Sequence, residues 1–94
     1  MDGNEFLKLA VETVAEHLNM AIDLHPTAGG GPIQPEDIFV VWSAKVLNCN
    51  KAILSTNAVK GILFELTYNG EKDELYLDEY FKSINRKIKM YHPS

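Results

Sequence analysis

Residues 38–80 read IFVVWSAKVLNCNKAILSTNAVKGILFELTYNGEKDELYLDEY, a nearly unbroken series of β-strand words. Ile38, Val40, Trp42, Ala44 and Val46 alternate with Phe39, Val41, Ser43, Lys45 and Leu47, which predicts a first strand. Its first half is apolar on both faces, as expected of a central strand or of one that meets another subunit. The Asn48-Cys49-Asn50 triplet then turns the chain into a short strand from Lys51 to Ser55, and Asn57 to Gly61 reads as a further turn. Asn69-Gly70 joins ILFELTY to EKDELYL, and Asn-Gly is the strongest short hairpin signal, expected to form a type I′ turn. The sheet is thus expected over 38–77, with Ile62, Phe64, Leu66 and Tyr68 on one face.

Two helices are expected to flank the sheet. Over 5–23, Phe6, Leu7, Ala10, Val11, Val14, Leu18, Ala21 and Ile22 follow the i, i+3, i+4, i+7 rule, with Asn4 as N-cap. Lys8, Glu12, Glu16 and Asn19 fall on the polar face. Residues 25–35, HPTAGGGPIQP, read as a flexible connector, because Pro26 disfavours helical geometry at His25. Beyond Leu77 the apolar stripe Leu77, Tyr80, Phe81, Ile84, Ile88, Tyr91 predicts a second helix over 79–90, capped by Asp78 and ended by His92-Pro93. The fold class is therefore α+β: an N-terminal helix, a four-stranded antiparallel meander and a C-terminal helix, in a single domain over 1–94.

Composition narrows the chemistry. The 94 residues are 46% hydrophobic, enough to fill one core, and the net charge of −4 argues against general nucleic-acid binding. A single cysteine, Cys49, excludes an intrachain disulfide and suits a reducing cytoplasm. Asp2 and Glu5 at the start argue against a signal peptide, and no apolar run approaches the roughly 20 residues of a membrane-spanning helix.

Catalytic and metal motifs are not evident. The Gly29–Gly31 run lacks the Lys-Ser/Thr of a P-loop, and His17, His25 and His92 show no metal-ligand spacing. The reading is a non-enzyme with neither metal nor cofactor. The suggestive element is basic: Lys82, Arg86 and Lys89 stand at i, i+4, i+7 of the expected C-terminal helix, and Arg86 is the only arginine. A guanidinium presents a planar fork suited to phosphate or carboxylate. With Trp42 as a stacking platform and Asn69 as a hydrogen-bonding side chain, the candidate ligand-binding residues are Arg86, Lys82, Asn69 and Trp42.

Val40-Val41-Trp42, the strand Lys51 to Thr56, Tyr68-Asn69-Gly70 and Tyr76 to Tyr80 resemble motifs in a family of short uncharacterised proteins from phages and prophages of Gram-positive bacteria. The resemblance covers most of residues 5–81 and carries no catalytic residue. The layout is also similar to phage anti-defence proteins that sequester cyclic nucleotide signals between subunits, an analogy at the level of fold. It implies a cytoplasmic homo-oligomer binding a small anionic nucleotide. An inhibitor of a host defence nuclease or effector, or a phage accessory module without a defence role, are the alternatives.

Overall fold

The computed structural model describes residues 1–21 and 31–91. Helix α1 spans Gly3–Met20, followed after the connector by a 3₁₀ turn, Pro35–Asp37. Four strands complete the order: β1 (Ile38–Val46), β2 (Cys49–Thr56), β3 (Ile62–Asn69) and β4 (Glu74–Phe81). They form one antiparallel meander, β1-β2-β3-β4. The α+β class, the N-terminal helix and the antiparallel sheet are as expected.

The N-cap of α1 is Asp2 rather than Asn4. Its carboxylate accepts from the Glu5 amide at 2.8 Å, and that backbone hydrogen bond leads the causes that lower the Asp2 pKa. Phe6, Ala10, Val14, Ala15 and Leu18 form the buried stripe of the helix. They pack onto Ile38, Ala52, Leu54, Ile62, Phe64 and Leu66 of the sheet. The helix lies mainly over β1 and β2, with less contact on β3. Asn19, expected on the solvent side, instead fixes the return of the chain: its side-chain amide donates to the Ile33 carbonyl (2.8 Å) and its oxygen accepts from the Ile33 amide (2.7 Å). The expected last residues of the helix, 22 and 23, and most of the connector lie outside the described residues.

The C-terminal helix expected over 79–90 is absent. Residues 74–81 are a strand, so the sheet extends past 77, and 82–91 carry no regular secondary structure. The residues behind the misreading obey two periods at once. Leu77 and Phe81 are four apart, which a helix stripe and a strand face both allow. Tyr76, Tyr80 and Phe81 favour the strand, and β3 offers a complete antiparallel partner from Ile62 to Asn69. The expected terminator His92-Pro93 lies outside the described residues.

Strand β1 is an edge strand, not a central one. A bulge between Val40 and Trp42 shifts the register: Val40 opposes Leu54 and Trp42 opposes Ile53. The extra residue explains the apolar run on both sides, because after it the alternation changes phase. Ile38 is buried under the helix, while Phe39 and Trp42 emerge on the face away from it.

The turns also differ from expectation. The β1–β2 connection is Leu47-Asn48, with Leu47 at φ 55°, and Cys49 belongs to β2. The β3–β4 connection is a loop over 70–73, not a two-residue type I′ turn on Asn69-Gly70. There the positive φ falls on Asp73, at 52°. The Asn69 side chain accepts from the Glu71 amide (3.0 Å), making an Asx turn. Gly70 is needed for proximity instead. Its amide donates to the Asn48 carbonyl at 2.8 Å, and a Cβ there would sit 2.4 Å from that oxygen. The Asn57–Gly61 turn meets its expectation, with Gly61 at φ 76°.

Candidate functional site

The meander has one covered and one open face. Register places Phe39, Trp42, Ile53, Leu63, Glu65, Tyr76, Asp78 and Tyr80 on the open side. Trp42 is 51% exposed and Tyr80 51%, so this face is aromatic and solvent-facing. An ion pair between Lys51 and Glu65 (3.1 Å) crosses its middle. The Tyr76 hydroxyl donates to the Glu74 carboxylate, and the Tyr68 hydroxyl donates to Asp73 at 2.7 Å. Each of these bonds stabilises the protonated phenol beside a negative charge, so both tyrosine pKa values are raised.

At one end of this face the β2–β3 turn and the end of β4 enclose an open depression of about 720 Å³. Its walls include Asn57, Lys60, Leu63, Tyr80, Phe81 and Lys82. The chain reaches this geometry because β4 continues one residue further along β3, the Lys82 amide donating to the Gly61 carbonyl at 2.8 Å. Lys60 and Lys82 thus line the depression together with Tyr80 and Phe81, which leave β4 on opposite faces and are both exposed. The size falls within the roughly 300–1,000 Å³ typical of small-ligand sites.

The four candidate residues from the sequence are not assembled into one site. Lys82 lines the depression. Trp42 lies on the row Ile53, Glu65, Asp78, on the same face as Tyr80 but a row away from it. Asn69 stands at the opposite end of β3, about 23 Å from Ile62 by strand rise, and its oxygen is occupied by the Asx turn. Arg86 lies in the exposed segment beyond β4, and without a helix Lys82, Arg86 and Lys89 share no helical face. Lys60 and Phe81 are not among the candidates: by sequence Lys60 reads as part of a turn and Phe81 as part of a helix stripe, whereas Tyr80 counts among the aromatics on which a base could stack.

On the other face, His17 Nε2 of α1 lies 3.0 Å from Glu79 Oε1 of β4, tying the helix to the last strand. Among the described residues no group of three or more His, Cys, Asp or Glu side chains is placed to hold a metal ion. No helix among them is long and apolar enough to cross a membrane.

No curated protein and no solved structure matches the chain. Residues 7–90 match a family of unknown function, DUF6275, a span that takes in most of α1, all four strands and most of the segment after them; the chain belongs to that family.

Proposed function

We propose that this chain is a non-enzymatic, phage-type anti-defence protein, acting in the host cytoplasm as a homo-oligomer that sequesters a small, cyclic nucleotide signal. The depression at the end of the sheet is the binding site. The observation that carries this reading is the pairing of Lys60 and Lys82 with Tyr80 and Phe81 around one concave surface. A nucleotide presents a flat base and an anion, and these side chains answer both. Stacking of a base on an aromatic ring contributes about 1–3 kcal/mol, and the ammonium groups supply phosphate contacts. Sequestration needs retention and no chemistry. The phage and defence setting rests on the sequence resemblance alone.

Thermal denaturation with a panel of cyclic mono- and dinucleotides and cyclic ADP-ribose isomers tests the proposal. A true ligand at 100 times its Kd adds about 2.7 kcal/mol to stability, a readily measured rise in Tm. The double variant Lys60→Ala, Lys82→Ala is expected to keep the unliganded Tm and abolish the rise. A panel that produces no rise at millimolar nucleotide rules the reading out.

A second reading, an inhibitor that binds a host nuclease or effector, draws support from the exposed aromatic face and from the acids Glu71, Asp73, Glu74, Asp78 and Glu79. Affinity capture from host lysate separates the two: a retained enzyme supports inhibition, a retained nucleotide supports sequestration.

A further inference from the structure

Among the described residues strand β4 forms one edge of the sheet, with β3 as its one neighbouring strand. Proteins seldom leave such an edge long and open, since it is a template for another strand. The segment that follows it has the pattern of a strand with no sheet. Ser83, Asn85, Lys87 and Lys89 alternate with Ile84, Arg86, Ile88 and Met90. Ile84, Ile88 and Met90 are all exposed, at 68% or more. The charges complement the edge: residues 82–91 hold Lys82, Arg86, Lys87 and Lys89 with no acid, whereas Glu74, Asp78 and Glu79 lie on β4.

We infer that residues 83–90 of one copy add as a fifth strand to the β4 edge of a second copy, and that the exchange is reciprocal. This inference rests on the homo-oligomer element of the proposed function but on no ligand. Folding back onto its own β4 would require a tight turn within Phe81-Lys82-Ser83-Ile84. Tight hairpin turns favour positive φ, and this stretch has no Gly, Asn or Asp, the residues that adopt it at least cost. The Lys82 amide is moreover held to Gly61, keeping the chain in line with β4. A segment that runs straight on meets a second copy, and a two-fold axis makes both contacts at once.

The alternation fixes the register. Along β4 the even positions, Tyr76, Asp78 and Tyr80, face the open side, and regular continuation puts Ile84, Arg86, Ile88 and Met90 there too. An antiparallel two-fold pairing centred on Lys82 then sets Ile84 beside the partner's Tyr80, Arg86 beside the partner's Asp78, and Ile88 beside the partner's Tyr76. Two aliphatic–aromatic pairs and one ion pair form on each arm. The unfavourable pairing, Lys82 against the partner's Lys82, is exposed and screened by salt.

Sedimentation velocity without ligand tests this. The full chain is expected to be a dimer, and a chain ended after Lys82 a monomer. Arg86→Asp and Asp78→Arg, each alone, place like charges together on both arms and are expected to weaken dimerisation about tenfold or more. Mixing the two variants restores opposite charges on both arms, so the mixture should dimerise again. In a Cys49→Ser background, Tyr76→Cys with Ile88→Cys should oxidise to a covalent dimer. A monomeric full chain, a truncated chain that still dimerises, a mixture that stays monomeric, or a cross-link confined within one chain would each overturn the inference. Nucleotide binding is read separately by thermal denaturation, so loss of the dimer and loss of ligand binding are told apart.

Discussion

The half of the sheet beneath α1 and the half around β4 are built from similar residues and end in opposite states. On β2 and β3, Ala52, Leu54, Phe64 and Leu66 are wholly buried, because the helix lays Phe6, Ala10, Val14 and Leu18 over them. On β4 the corresponding positions Leu75 and Leu77 are only half-buried, and Phe81 is exposed. One helix is too narrow to cover four strands. The contrast locates stability in the covered half and leaves surface for recognition at the margin, where both the depression and the exposed C-terminal segment lie.

The largest expected effect tests that division directly. Phe64→Ala empties the centre of the covered half and should cost about 3–5 kcal/mol. Leu77→Ala, on the other side of the same ladder, should cost only about 1–2 kcal/mol, since much of that side chain is already in contact with water. Urea unfolding of both variants, compared at low protein concentration, gives the ratio. Equal losses would mean that β4 is covered after all and would erase the contrast.

An intermediate effect is expected at a margin position that behaves like core. Gly70→Ala pushes a methyl group against the Asn48 carbonyl, a backbone atom that cannot rotate away. Either the two loops separate, losing the Gly70 amide bond to Asn48, or the strain stays. Overpacking of this kind costs about 1–3 kcal/mol. A Gly70→Ala variant with unchanged midpoint would show that the two turns are not in contact in solution.

Legibility followed the same division. Helix α1 and the inward faces of β2 and β3 were readable because burial imposes a clean period on them, 3.6 in Phe6, Ala10, Val14, Leu18 and 2 in Ile62, Phe64, Leu66. At the margin no burial enforces a period. The stripe from Leu77 to Tyr91 satisfied the helical rule without any surface for a helix to cover. Asn69-Gly70 carried a hairpin signal at the right place, yet Gly70 serves a close approach to Asn48, 22 residues earlier in the chain, which no local pattern announces. The cap at Asp2 had a readable sign, an acid followed three positions later by Glu5, that Asn4 obscured. The depression was hidden for a compound reason. Lys60, Tyr80 and Lys82 come together only if β4 is a strand that runs back to the β2–β3 turn, and reading that segment as a helix dispersed them.

The smallest effect runs in the opposite direction. Leu47 turns the β1–β2 hairpin at φ 55°, a conformation that costs a leucine about 1–2 kcal/mol relative to right-handed geometry. Its side chain is 90% exposed, so no packing offsets that strain within the chain. Asparagine adopts the left-handed region more readily and retains a restricted unfolded state, unlike glycine. Leu47→Asn should therefore raise stability by about 0.5–1 kcal/mol. An isolated hairpin tip gains stability from this change, whereas a tip whose leucine is buried against another protein loses affinity for that protein. A variant that is more stable alone but weaker in capturing a host partner would move the recognition surface from the depression to the opposite end of the sheet.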